Sequence, residues 1–479
     1  MDSLSPDNLA EAPPRRIRDL PGPRGLPLIG NLLQVNTPRL HLVVEQWRRR
    51  YGEYFRFRIG AREFFVVANP ETIAQVLRDR PDGFQRTARL SLISQEMGFG
   101  GLFSANGERW RRQRSMVMAS FDPGHTRSFF PSLAKVTERF ARRWRRAAAV
   151  GEPIDLQADL MRYTVDVTAG LAFGADINTI ESDGEVIQQH LDKVLPALFR
   201  RLMAPFPTWQ RFRDRSIEAH LEALHRAVAQ FIAQARARLE ANPSLRERPE
   251  NLIEAMIAAR DREGSGVDDS DVAGNVLTML LAGEDTTANT LAWMIYLLAR
   301  NPEHAKRAAQ EVRRAAGADF LLRSYEQLSG LAFVEACANE TMRLKPVAPI
   351  IMAQALRDSV VAGVRVPAGS LVMCLMRPAA TDDRHFPNAA VFDPARWLTD
   401  AGQVKSAASA KRIAMPFGAG PRLCPGRYLA MLEIKMVIAM LFAGFDIERV
   451  STPDGRDAEE RLALTMAPVG LRAVLRPRG

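Results

Sequence analysis

The sequence predicts a mainly α-helical protein with a minor β-sheet region, on three observations. Apolar residues recur at helical spacing over most of the 479 residues. Only two short stretches carry the alternation and β-branched content of strands. One segment, 270–300, keeps helical spacing for 31 residues, a rod of about 45 Å.

Taken in chain order, the lead Leu20-Pro21-Gly22-Pro23-Arg24-Gly25 is too proline-rich for either regular structure, and 40–51 is the first helix. A hairpin follows, 54–59 and 64–67 around Gly60, its first strand alternating apolar with basic residues. Helices are predicted over 71–78, 107–120, 132–149, 156–173, 217–240, 271–300, 303–315 and 331–344. Asp269 or Ser270 is placed to cap the longest of these, and Asn301-Pro302 to stop it. A second strand set is predicted within 350–356 and 360–373, and a last apolar helix over 427–442. Neither repeats nor a linker interrupt this pattern, which predicts one domain over 21–479 behind a short tail, 1–20.

Composition narrows the function. A hydrophobic content of 47% and a charged content of 25% are those of a globular protein. Three scattered cysteines, Cys337, Cys374 and Cys424, form neither a Cys-x-x-Cys pair nor a disulfide framework. They fit a reducing compartment. No run of 18 apolar residues offers a membrane span, and the first twenty residues lack the pattern of a secretory signal. The expectation is therefore a cytoplasmic, bacterial, monomeric protein. The net charge of +10 comes almost wholly from arginine, since only seven lysines are present. Without a nucleic-acid motif, that charge is better read as a docking face for an acidic protein.

Four motifs carry chemistry. The run Pro416-Phe417-Gly418-Ala419-Gly420-Pro421-Arg422-Leu423-Cys424-Pro425-Gly426 sets one cysteine on a glycine-rich loop at the start of a helix. Free backbone N–H groups and the helix dipole at such a place are expected to lower the thiol pKa. Gly418, Gly420 and Gly426 would let the backbone turn and approach a flat ligand, and Arg422 could pair with an anionic group on it. In the long helix, Ala282-Gly283-Glu284-Asp285-Thr286-Thr287-Ala288-Asn289-Thr290 gathers poor helix formers at mid-length, which predicts a distortion at a site. Glu340 and Arg343, three apart, share a helix face. Trp110 and Arg114, four apart, do the same.

Together these resemble the cytochrome P-450 (haem-thiolate monooxygenase) family. Phe417, Gly420, Arg422, Cys424 and Gly426 fill its loop pattern Phe-x-x-Gly-x-Arg-x-Cys-x-Gly. The segment from Ala282 to Thr287 resembles its Ala-Gly-x-Asp/Glu-Thr-Thr, Glu340 and Arg343 its Glu-x-x-Arg, and Trp110 and Arg114 its Trp-x-x-x-Arg. The resemblance runs from about Pro21 to the C-terminus. It implies that family's fold, with haem b between the long helix and the cysteine loop and its following helix.

It further implies Cys424 as axial ligand of the haem iron, with Phe417, Gly418, Gly426, Ala282 and Gly283 around the cofactor. Trp110, Arg114 and Arg422 would hold the propionates. Thr286 would hydrogen-bond dioxygen while Asp285 relays protons. Arg396, in Phe392-Asp393-Pro394-Ala395-Arg396-Trp397, would complete a structural ion network with Glu340 and Arg343. The family often has Glu where Ala395 stands.

The implied reaction inserts one oxygen atom of O₂ into a lipophilic small molecule. Met97, Phe99, Ala348, Pro349, Ile350 and Ile351 are expected to line the pocket, and 194–212 to form a lid. Arg62 is a candidate cation at a channel mouth, which favours a fatty acid over a terpenoid or steroid. Electrons would come from a separate ferredoxin, flavodoxin or reductase, docked on a basic face of Arg111, Arg112, Lys411, Arg412 and Arg427. A peroxide-driven haem enzyme and a non-catalytic haem sensor or electron carrier are the competing classes.

Overall fold

The computed structural model describes residues 13–118, 121, 127, 129–182, 187–204, 215–317, 319–404 and 409–478. Its principal helices are α1 (Leu40–Tyr51), α2 (Pro70–Arg78), α3 (Ala88–Glu96), α4 (Gly107–Met118), α5 (Phe130–Ala149), α6 (Leu156–Phe173) and α7 (Ile187–Met203). They continue with α8 (Arg215–Ala241), α9 (Leu252–Arg260), α10 (Asp269–Arg300), α11 (Pro302–Ala316), α12 (Ala332–Leu344) and α13 (Arg427–Gly444).

The main sheet orders five strands β1-β2-β5-β4-β3. These are β1 (Tyr54–Ile59), β2 (Arg62–Val67), β3 (Phe84–Gln85), β4 (Ile350–Ala355) and β5 (Leu371–Leu375). Its β2–β5 pair is parallel and the others antiparallel. The C-terminal region adds β6 (Phe445–Ser451), the hairpin β7 (Glu460–Ala463) and β8 (Thr465–Pro468), and β9 (Arg472–Pro477). The sequence predicts the first hairpin and most helices to within a few residues. It misses α3, α7, α9, β3 and every C-terminal strand. Of the predicted lid, α7 accounts for residues up to Met203, and 205–212 lie outside the described residues, as do 119 and 120 of the predicted 107–120 helix.

The core has three parts. The largest gathers α5, α6, the C-terminal half of α10, α12 and α13 around Trp144, Trp293 and Trp397, all fully buried. A second lies under α7, α8 and α9, and a third under the main sheet. Each fully buried Leu, Ile or Phe contributes about 1.5–3 kcal/mol. α13 is apolar on nearly all sides because it is buried on all sides, from Leu429 to Phe442.

α10 threads both large cores. Its N-cap is Asp268, one residue before the earlier of the two predicted caps. The Asp268 side chain accepts from the Asp271 N–H, and Asp271 reciprocates to the Asp268 N–H. The predicted mid-helix distortion is not found: α10 is continuous from Asp269 to Arg300. The threonines fit the helix by donating back to carbonyls one turn earlier, Thr286 to Ala282 at 2.8 Å and Thr290 to Thr286 at 2.8 Å.

Candidate active site

The cysteine loop is folded by its own backbone. The Cys424 N–H donates to Phe417 O at 3.0 Å, closing a turn in which Gly418 and Gly420 take φ of +77° and +71°. At Gly420 a Cβ would stand 2.4 Å from Leu77 O of α2, so only glycine allows this approach. Arg80, just past α2, reinforces the contact by donating to Ala419 O at 3.3 Å. Gly426 caps α13 and offers its N–H to the Cys424 sulfur. The expected lowering of the thiol pKa does not hold. Burial pushes the thiol up and outweighs the opposing pull of the Gly426 N–H, Arg114 and Arg427.

Four guanidiniums converge beside this loop: Arg80, Arg86, Arg114 and Arg422. None pairs with a carboxylate among the described residues. Arg114 donates to Leu423 O at 2.8 Å, and Arg422 to Ala105 O at 2.7 Å and Asn106 Oδ1 at 3.0 Å while stacking 4.6 Å from the Trp110 ring. Arg86 lies 4.6 Å from the Phe103 ring. The Nε atoms of Arg86 and Arg422 are buried without a partner. Burial and mutual repulsion depress the Arg86 and Arg422 pKa values to about 9. Half-buried and without counter-charge, such a cluster suits a bound dianion. Arg80, Arg86 and Asn106, whose side chain bridges Arg86 and Arg422, escape a sequence reading because no fixed spacing ties them to the loop.

The middle of α10 carries the second group of candidate residues. Ala282 is exposed although residues on either side are largely buried, so the helix opens onto space there. At Gly283 a Cβ would come within 2.6 Å of the Thr168 hydroxyl, so this glycine sets the closeness of α6 and α10. Asp285 is buried, its Oδ1 accepting from Asn289 Nδ2 at 2.7 Å and its Oδ2 from the Thr465 hydroxyl at the start of β8. Burial raises its pKa, and these two donors oppose the rise.

Glu340 is the hub of a buried network. It accepts from Arg343 Nε and Nη2, each at 2.8 Å, from Arg396 Nε at 3.0 Å, from Trp397 Nε1 at 2.8 Å and from the Asp393 N–H at 2.9 Å. The remaining Arg343 donors reach Ala380 O, Ala389 O and Val391 O. Every polar edge is answered, the condition for burying such charges.

The candidate pocket residues divide. Ala348 is exposed, and Ile350 and Ile351 are half-buried. Pro349 is buried, and its carbonyl accepts from the Met376 N–H at 2.9 Å. Met97 and Phe99, expected over the site, are 1% and 4% exposed and belong to the second core, together with residues of α7, α8 and α10. The hairpin β7–β8, unforeseen, meets this segment through the Met466 N–H, which donates to Val347 O at 2.8 Å. Leu464, at its tip, takes φ +86°.

Arg62 borders a cavity of about 500 Å³ together with Arg89 and Gln354. Its guanidinium donates to the carbonyls of Leu202, Met203 and Ala204 at the end of α7. On the expected basic face, Arg111 is paired with Glu108 and Asp82, and Arg427 donates to Cys424 O at 3.2 Å.

A half-buried cysteine on a glycine loop, a carboxylate-free cluster of guanidiniums beside it and an exposed alanine in the middle of α10 suit a flat, dianionic cofactor. The sequence model of the cytochrome P450 family matches residues 20–473, and the chain belongs to that family. Members are haem monooxygenases that bind haem b through a cysteine thiolate. Among its relatives, pentalenene oxygenase of Streptomyces avermitilis is 26% identical over 95% of this chain and 95% of its own. Thromboxane-A synthase of Sus scrofa is 27% identical over 89% and 86%. A self-sufficient cytochrome P450 monooxygenase, CYP505U2, of Exserohilum turcicum is 28% identical over 97% of this chain, which spans only 43% of that protein. No helix among the described residues is long and apolar enough to cross a membrane.

Proposed function

We propose that the chain oxygenates a neutral lipophilic molecule, with Cys424 holding haem and electrons arriving from a separate redox protein. The observation that carries this is the set of guanidiniums without carboxylates, Arg86, Arg114 and Arg422, beside the Cys424 loop, with the exposed Ala282 in the middle of α10 in support. Haem, when bound, supplies the activation of oxygen. The chain's own residues do the rest. Arg86, Arg114 and Arg422 neutralise the propionates, Ala282 and Gly283 leave room above the ring, and the Thr286 hydroxyl is the donor nearest that gap. Asp285 supplies Thr286 with protons.

The fatty-acid expectation rests on an available Arg62. Three of its N–H groups go to the Leu202, Met203 and Ala204 carbonyls, which hold it on the end of α7 and favour a neutral terpenoid-like or steroid-like lipid, in keeping with the name pentalenene oxygenase borne by one relative.

The test is a titration of haem-loaded protein with a fatty acid, its methyl ester and a panel of terpenoids and steroids, read by the spin-state shift of the haem spectrum. Neutral compounds are expected to produce the shift, and the acid to bind no better than its ester. A strong preference for the acid that Arg62→Ala abolishes would restore the fatty-acid reading. Cys424→His is expected to bind haem without the red-shifted Soret band of the reduced carbon monoxide complex. Retention of that band would assign the ligand to Cys337 or Cys374.

A further inference from the structure

The hairpin β7–β8 joins two strands of four residues each. A two-stranded unit of that size is marginal by itself in water, so its place must come from what holds it. It lies between two helices, β7 packing against α7 and β8 against α10. Near its tip Leu464 packs on the second core, the Thr465 hydroxyl reaches Asp285, and the Met466 N–H reaches Val347 O.

Strand alternation puts Glu460, Leu462 and Leu464 on one face of β7. Leu462 belongs to the largest core, so this face points inward, and it begins with a carboxylate. The Glu460 side chain is 8% exposed and accepts from three separate parts of the chain. Lys345 Nζ, just past α12, donates at 2.6 Å, and His41 Nε2, on α1, at 2.9 Å. Arg377 Nη1, just past β5, donates to both oxygens, at 2.8 and 2.9 Å. Arg377 is fixed in turn by a two-pronged pair with Glu45 of α1, at 2.9 and 2.7 Å. Burial works against the charge, yet His41, Arg377 and Lys345 hold the Glu460 carboxyl well below the usual carboxylate range.

Apolar side chains of similar volume would serve stability as well as such a network does. What they would not supply is register. A slip of one residue turns Glu460 outward, and Leu464 with it. Lys345 and Val347, two apart, tie β7 and β8 to the segment that leads into Ala348, Pro349, Ile350 and Ile351.

We propose that Glu460 is a positioning residue of the reaction: held by Lys345, Arg377 and His41, it sets where Leu464 and Thr465 stand beside α10, and so how a bound molecule is oriented at the site. The inference rests on the monooxygenase reading and deepens it. Glu460 itself touches no substrate.

Glu460→Gln keeps the shape and removes the charge. Lys345→Met is a second variant that leaves Arg377 and His41 on the carboxylate, and Arg39→Ala, which breaks the exposed Arg39–Glu459 pair next door, is the control. Hydrogen exchange of peptides covering 460–468 is expected to quicken about tenfold in Glu460→Gln, and to quicken in Lys345→Met, while α12 and the control match the parent. Haem-loaded protein is then titrated with imidazole and with 4-phenylimidazole, each read by the haem spectrum. Imidazole is too small to need the hairpin as a wall, whereas the phenyl group must fit beside it. In Glu460→Gln the affinity for 4-phenylimidazole is expected to fall about tenfold and that for imidazole to change less than about twofold. A general loss of stability would move both azoles alike. Unchanged exchange at 460–468 in both variants, or azole affinities that change in parallel or not at all, would overturn the proposal and leave the monooxygenase reading standing. Failure of the parent protein to bind haem would overturn both.

Discussion

Thr465, the first residue of β8, donates its hydroxyl to the carboxylate of Asp285 at the middle of α10, joining positions 180 apart in the chain. The acid that resemblance makes the proton donor is thus oriented by the C-terminal hairpin.

Thr465→Val removes one of the two donors that oppose the burial-driven rise of the Asp285 pKa. The carboxyl then keeps its proton to higher pH, so the alkaline limb of the coupling profile, set by loss of the donor's proton, moves upward in pH. Thr465→Ser should restore the parent profile. A charge-assisted bond of this kind contributes about 1.5–3 kcal/mol, large enough to be read in the pH dependence of product formed per oxygen consumed.

Glu340→Gln leaves Arg343 buried without its counter-charge and takes from Arg396 the nearer of its two carboxylates, leaving Asp393 at 3.8 Å. Breaking such a pair costs about 3–5 kcal/mol. The urea midpoint should fall accordingly, and haem should be lost at lower urea than in the parent protein. An unchanged midpoint would mean that water replaces the carboxylate.

Arg86→Met separates cofactor holding from folding. A buried guanidinium with no carboxylate destabilises the haem-free chain, so this variant should melt higher than the parent without haem and release haem faster when loaded. The parent should show the same conflict as a function of pH. Arg86 and Arg422, depressed to about 9, lose their protons earlier in the folded chain than in the unfolded one. Haem-free stability therefore rises relative to neutral pH as pH climbs above about 9, while haem retention falls over the same range. Transfer of haem to an acceptor protein at pH 7 and pH 10 measures it.

Arg112 and Arg412 are exposed and have no carboxylate partner among the described residues, whereas Arg111 is already paired. Reversing both charges should slow reduction by an acidic redox protein at low salt. The difference should shrink as salt shortens the screening length below about 10 Å. Equal rates for parent and variant at low salt would move the docking face elsewhere.

Much of this architecture is legible along the chain because its signals are local. Helical spacing finds α10, α12 and α13, and fixed spacings find Cys424, Glu340–Arg343 and Trp110–Arg114. What stays hidden depends on partners far apart in sequence. Arg86 meets Arg422 only through Asn106, and Thr465 meets Asp285 only because β7–β8 folds back across the molecule. Met97 and Phe99 read as pocket residues from their position before α4, but packing draws them into the core. Arg62 reads as a surface cation because nothing nearby in sequence announces the helix end that it binds.

That helix end has a consequence for timing. Arg62, at the start of β2, and Arg89, on α3, both donate to the terminal carbonyls of α7, with Arg89 reaching Arg201 O at 2.6 Å and Ala204 O at 2.7 Å. Two side chains from separate elements thus fasten one helix terminus, opposing the partial negative charge of its dipole. Any swing of α7 away from the sheet would have to break these five hydrogen bonds. The end of α7 is then released from the sheet more slowly than an unfastened helix end would fray.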